Sequence, residues 1–242
     1  MSSFEEVNLK LNAFSEELSI RLGQSVVQLI TLPQPSDPKD ELYFRKLVAW
    51  SYAALVEAFP VALKKLTNFL RTSNKSEFTG VSELKTAIQA LRTVQSHNLP
   101  EPSSHSEKQK KLADIWLLTY GSTPFCWATA CTVLCNQLIV LFDTLMAALR
   151  KICQEPEDQQ IFIEDMSATL LRTWPAHAFD ELVKNSAEMI GLTEFDIVSY
   201  RQTRIERWRE LANLFTDRSS AMAAVGRAIS VELISIFGES TK

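Results

Sequence analysis

Glycine and proline are scarce in this 242-residue chain, at six and nine residues, and the prolines gather in short patches between long periodic runs. A chain with so few breakers has the profile of an all-helical protein. It shows no alternation of apolar and polar residues typical of strands, no glycine-rich phosphate loop and no low-complexity tract. An excess of charge of either sign is also missing. A formal net charge of -4 excludes a surface that grips nucleic acid all over, while leaving room for a local basic groove. With 46% apolar residues the chain can bury a substantial core, which excludes disorder.

The opening residues, MSSFEEVNLKLN, are acidic and amphipathic. They lack the basic flank and apolar core of a signal peptide, so the expected location is the cytoplasm. The four cysteines, Cys126, Cys131, Cys135 and Cys153, fit no paired C-x-x-C zinc spacing. Cysteines at helical intervals in an apolar run are more simply small buried hydrophobes in a reducing compartment.

Helical periodicity dominates what is present. Phe4, Val7, Leu11, Phe14, Leu18 and Leu22 step by three or four and predict a first helix that runs on to about Leu29. The loop LPQPSDPKD follows, and Asp37-Pro38 or Asp40 is suited to start a second helix with Tyr43, Leu47, Trp50 and Ala54 on its core face. Pro60 predicts a kink or break before Leu63, Leu66 and Leu70 resume the pattern. The polar stretch TSNKSEFTG reads as the end of that unit, with a third helix from about Val81 through Leu84, Ile88 and Leu91.

Further helices are expected at about 106 to 119, 124 to 153, 157 to 173, 176 to 190 and 194 to 215. A last one carries Met222, Val225, Ile229, Leu233 and Ile236. The run CTVLCNQLIVLFDTLMAAL, from Cys131 to Leu149, approaches membrane-spanning length. Asn136, Gln137 and Asp143 within it favour a central bundle helix surrounded by other helices. The expected fold class is therefore all-α, a multi-helix bundle of about eight to nine helices. Residues 1-242 form one domain, with an N-terminal helical extension over 1-36 and a C-terminal helical part over 194-242.

The most informative stretch is ALRTVQSHNL, residues 90 to 99. It places Arg92 and His97 five positions apart at the exit of a strongly periodic helix, followed by Asn98, Leu99 and Pro100. Spacing alone carries little. With three histidines and twelve arginines, an arginine four to six residues before a histidine arises by chance in roughly two such chains in five. A second instance, Leu171-Arg172-Thr173-Trp174-Pro175-Ala176-His177, opens a helix rather than closing one and reads as coincidence.

In its context, the decapeptide around Arg92 and His97 resembles the signature of the HEPN superfamily. The layout downstream is similar to larger HEPN proteins of prokaryotic defence loci. It places Trp116, Pro124, Trp127 and Cys131 before a long helix, and then FDELV and FDIVSYRQTRIERW. The resemblance covers about residues 40 to 215 and implies a HEPN-like helical domain with a metal-independent ribonuclease site. It further implies catalytic Arg92 and His97 with Asn98 in support, no cofactor and no metal, and a homodimer in which two motifs face each other. Anti-phage defence or a toxin-antitoxin-like system is the implied setting. The residue after the arginine is Thr93, where many active members carry asparagine, aspartate or histidine.

The two side chains suit that chemistry. RNA is cut without metal when a base removes the 2'-hydroxyl proton, the oxygen attacks the adjacent phosphorus, and a cation stabilises the charge growing on the phosphoryl oxygens. An imidazole, with an ordinary pKa of about 6.5, exchanges a proton near neutrality. A guanidinium stays charged and offers two parallel donors to a phosphate. On a continuous helix, five residues advance about 500°, which leaves Arg92 and His97 about 140° apart. Convergence requires the helix to unwind near Ser96, or a site shared between subunits. The competing reading is that Arg92 pairs with a nearby carboxylate and His97 caps the helix carboxyl end, while His105 is solvated.

Arg201, Arg204, Arg207 and Arg209 crowd one helix whose other face carries Ile205, Trp208, Leu211, Ala212 and Phe215. They read either as phosphate contacts for RNA or as a solvated face paired with Glu206, Glu210 and neighbours. The expected partners are RNA, a second copy of the chain and a protein encoded nearby, such as an NTPase, antitoxin or sensor. No membrane partner is expected, and the chain shows no DNA-reading module. A second reading keeps the HEPN-like scaffold without catalysis, as a subunit docking on an NTPase or other effector.

Overall fold

The computed structural model describes residues 3-23, 25-96, 104-172, 174, 176-215 and 217-238, without the side chains of residues 96, 104, 105, 171, 172 and 176. Among the described residues there are eleven α-helices, one π-helical turn, one 3-10 turn and no strand. The chain forms two compact units, Met1–Met166 and Ser167–Lys242.

In the first unit, α1 spans Ser3–Leu22 and buries its whole apolar stripe, from Phe4 to Leu22. It ends there rather than at Leu29. Gly23 takes φ +66°, a left-handed conformation that closes helices at little cost only for glycine, and Leu29 is 88% exposed. Helix α2, Glu41–Tyr52, starts where Asp40 accepts a hydrogen bond from the Tyr43 backbone N–H at 2.9 Å, an N-cap. A π-helical turn, Ala53–Ala58, then leads to α3, Pro60–Ser73, with proline at its first position. The axes before and after the break differ by 84°. Phe59, at φ -144° and ψ 52°, has left the helical region, as the residue before a proline does.

Helix α4, Lys75–Ser96, begins six residues before the expected Val81. Asn74 is extended, at φ -153°, and its side-chain oxygen accepts from the Glu77 N–H at 3.3 Å. The polar stretch that reads as the end of the preceding unit is thus largely a cap followed by the first turns of α4. Helices α5, Ser104–Tyr120, α6, Trp127–Ile152, and α7, Pro156–Arg172, follow close to their expected positions.

Helix α6 packs against α1, α2, α3, α4 and α5. Leu134, Leu138, Phe142, Leu145 and Leu149 are buried along it. Phe59, at the α2–α3 break, lies between Phe14 and Phe142, with ring centroids 5.3 and 6.3 Å away. Asp143 points outward and pairs with Lys10 of α1 at 2.7 Å, so the polar residue of the apolar run sits where water and an ammonium group reach it. Cys131 and Cys135 face the core, as small hydrophobes do.

The second unit holds a 3-10 turn, Ala176–Phe179, and helices α8, Asp180–Met189, α9, Ile197–Gln202, α10, Ile205–Ala212, and α11, Arg218–Phe237. The single helix expected over 194 to 215 is two. At the break, the Thr203 hydroxyl donates to the Tyr200 carbonyl at 3.2 Å and the Arg204 guanidinium reaches the same oxygen at 3.4 Å. These side chains compete for a carbonyl that would otherwise continue the helix. This split and the π-helical break explain why eleven helices replace the expected eight or nine. The core of the unit is aromatic. Trp174 stacks on Phe179 at 5.2 Å, and Phe179 meets Trp208 edge-on at 5.9 Å. Phe215, expected on the buried face, is instead 37% exposed.

By length and composition alone, α6 and α11 are long and apolar enough to cross a membrane, as is the bent α2–α3 pair.

The packing of α6 yields a paired prediction. Leu138→Ala removes a fully buried side chain and should cost about 2-5 kcal/mol. Val140→Ser, two residues away at a position 64% exposed, should change stability by less than about 0.5 kcal/mol. Denaturant unfolding of both variants checks this, and comparable losses at the two positions would contradict the arrangement.

Candidate functional site

Arg92 occupies the last turn and a half of α4, one residue after the buried Leu91. Core packing of Leu84, Ile88 and Leu91 fixes the rotation of the helix, and that rotation leaves Arg92 half-buried at the edge of the core. Its guanidinium carbon lies 4.7 Å from the centroid of the Tyr52 ring, the last residue of α2. A cation over the face of a tyrosine is held by the ring quadrupole. Tyr52 immediately precedes the π-helical turn, an element frequent at functional sites.

Tyr52 was not visible as a site residue in the sequence. It falls between the core positions Trp50 and Ala54, and only the packing of α2 on α4 brings it to Arg92.

Helix α4 is described to Ser96, and His97 and Asn98 lie outside the described residues. So do Leu99 and Pro100, together with the side chain of His105. Of the expected site residues, Arg92 is therefore the one whose surroundings can be stated. Thr93 turns back on its own helix, its hydroxyl donating to the Gln89 carbonyl at 2.8 Å, so it is engaged with backbone. Gln95, near the end of α4, has a buried side-chain oxygen without a hydrogen-bond partner among the described residues.

In the second instance of the spacing, the side chain of Arg172 lies outside the described residues. His177 is exposed in the 3-10 turn before α8.

The arginine-rich segment divides sharply. Arg201 pairs with Asp180 of α8 at 2.5 Å, Arg204 with Glu232 of α11 at 2.5 Å, and Arg209 with Glu206 at 2.6 Å. Arg209 also donates to the Trp174 carbonyl at 2.9 Å. Three of the four arginines therefore tie elements of the second unit together, and Arg207 alone is exposed without an ion pair among the described residues. The partners of Arg201 and Arg204 are distant in sequence, which the paired-face reading did not anticipate.

The cysteines differ in reactivity. Cys126, exposed at the start of α6, has its pKa held below the ordinary value by the Thr129 backbone N–H, followed by the Thr129 hydroxyl and the Ala128 N–H. Burial pushes the Cys131 thiol up to about 12 and raises that of Cys135. No cluster of three or more metal-ligating side chains occurs among the described residues.

Comparison with known proteins assigns no relative: no family model, curated protein or solved structure matches the chain.

Two outcomes are expected. A double-mutant cycle of Arg92→Met and Tyr52→Leu should show a coupling of about 0.5-1 kcal/mol in unfolding free energy, and a coupling near zero would remove the stacking contact. In the native protein at pH 8, iodoacetamide should alkylate Cys126 first, with Cys131 and Cys135 modified only after unfolding, as peptide mapping would read.

Proposed function

We propose that the protein is a HEPN-like, metal-independent endoribonuclease that cleaves RNA by attack of the 2'-hydroxyl on the adjacent phosphate. The reading rests on the decapeptide ALRTVQSHNL, and one structural observation supports it: Arg92 stands half-buried at the exit of α4, its guanidinium stacked on Tyr52. In this role Arg92 binds the scissile phosphate and stabilises the charge on its oxygens, and His97 transfers the proton as general base or acid, with Asn98 supporting it. Stacking holds the cation in one orientation before substrate arrives, which lowers the ordering cost of a bidentate phosphate contact. No metal or organic cofactor enters the mechanism.

The proposed substrate is single-stranded or looped RNA. The proposed assembly is a homodimer with a regulating protein encoded nearby, and the proposed location is the cytoplasm. The setting that fits is anti-phage defence or a toxin-antitoxin-like system.

The second reading, a non-catalytic HEPN-like scaffold docking on an NTPase or other effector, is favoured by Thr93. Many active members carry asparagine, aspartate or histidine there, whereas this threonine is hydrogen-bonded back onto its own helix.

The deciding experiment incubates the purified protein with a mixed RNA pool in the presence of a chelator, beside His97→Ala and Arg92→Ala. We expect cleavage that leaves cyclic phosphate ends and falls by at least about a hundredfold in each variant. Equal inertness of all three preparations, also with neighbouring gene products added, would overturn the catalytic reading in favour of the scaffold.

A further inference from the structure

A cleft of about 940 Å3 lies in the first unit between α4, α5 and α6. It is built from the amino-terminal half of α4, from Ser76 to Ala87, whereas Arg92 belongs to the other end of that helix and does not line it. Its volume is that of a site for a small organic molecule.

Three observations define what it would accept. First, its walls are apolar and aromatic. Trp116 and Tyr120 line one side as a tilted pair with centroids 5.3 Å apart, and Ile115 and Val140 line it although they are exposed by 50% and 64%. Apolar side chains left in water along a concave wall mark a binding groove more often than a random surface.

Second, Gly80 lines the cleft in the interior of α4, where glycine weakens a helix. Its φ is not left-handed, and a Cβ built on it would meet nothing within 4 Å. Neither backbone strain nor tight packing explains a glycine here, and what it does provide is room at the wall.

Third, the lining contains two carboxylates, Glu77 and Glu83, and neither lysine nor arginine. At about 100° per residue, Glu77 and Glu83 stand about 60° to either side of Gly80 around the helix. Both are exposed and form no ion pair among the described residues. Opposite them, Gln137 is fixed by accepting the Trp116 indole N–H at 3.2 Å, which leaves its NH2 group as a donor at the wall.

We propose that this cleft binds a small aromatic cation. Its apolar body lies along Ile115, Tyr120 and Val140, and its positive group sits over the Gly80 backbone between Glu77 and Glu83. The carboxylates supply charge complementarity, and the ring of Tyr120, 38% exposed at the rim and backed by the buried Trp116, favours a cation on its face. An anion of the same size would be repelled. The proposal is independent of the ribonuclease reading, because no residue of the Arg92 motif takes part.

The test titrates full-length protein with berberine, a planar aromatic cation whose fluorescence rises in apolar surroundings, and in parallel with the anion 1-anilinonaphthalene-8-sulfonate. Saturable one-site binding of berberine is expected, with the anion at least tenfold weaker. Gly80→Trp should fill the cleft and weaken berberine at least tenfold while the melting temperature stays level or rises, since the site has space and loses a helix-weakening glycine. The double variant Glu77→Gln and Glu83→Gln should weaken berberine roughly threefold to tenfold and bring the anion's affinity closer to it.

Lack of saturable berberine binding, equal affinity for the anion, or insensitivity to Gly80→Trp in a folded protein would each overturn the proposal. So would a dimer in light scattering that Gly80→Trp dissociates, because the occupant would then be a second copy of the chain.

Discussion

The first unit depends on the removal of one helix from water. Helix α6 carries apolar side chains on most of its circumference, and five other helices cover it. Because burial of apolar surface is non-directional and scales with area, this helix can accept neighbours on many sides, and their rotations follow from it. The stripe of α1 from Phe4 to Leu22 is spent against α6, and the bend at Phe59 brings a ring onto Phe142. Asp143 shows the same constraint from the opposite side. A carboxylate cannot be buried unpaired at acceptable cost, so the helix turns it toward solvent and Lys10.

Coverage by five helices is incomplete, and the gap has consequences. Where α4 and α5 pack on each other, both leave α6 partly open, and the resulting cleft keeps Val140 and Ile115 in water. The same helix α4 therefore carries two sets of polar residues with different surroundings. At its amino-terminal half are carboxylates around Gly80, and near its exit is an arginine stacked on Tyr52. One element held by Val81, Leu84, Ile88 and Leu91 orients both.

The second unit is stabilised differently. Its core is a network of tryptophan, tyrosine and phenylalanine rings, and its short helices are tied across the surface by arginine pairs to Asp180 and Glu232. Such partly exposed pairs add modest stability each, but they join α8 to α9 and α10 to α11 at chosen points and so set the arrangement of α8, α9 and α10, which are too short to be stable alone. The arginines that looked available for phosphate are mostly committed to this task. A phosphate-binding role for the segment as a whole is accordingly weakened, whereas Arg92 keeps its place at a helix exit.

The all-helical class, the core stripes of α1 and α2, the middle of that of α11 (Val225, Ile229 and Leu233, though Ile236 at its end is 49% exposed), and the central position of α6 were legible in the sequence because helical periodicity is local. A residue's neighbours three and four positions away decide which face is apolar. The ends of elements were less legible. Leu29 continued an apolar pattern that Gly23 had already ended, and Asn74 converted a polar stretch into the start of α4. The break at Thr203 and Arg204 depends on side chains competing for a backbone carbonyl, a balance that periodicity does not register. At the candidate site, the sequence by itself determined the residue types and their spacing, an arginine five positions before a histidine where a helix gives out. Tertiary structure alone decided that Arg92 lies on Tyr52, that Arg201 and Arg204 meet Asp180 and Glu232, and that Gly80 faces an open cleft. These are contacts between elements distant along the chain, fixed by how the helices share the burial of their apolar faces.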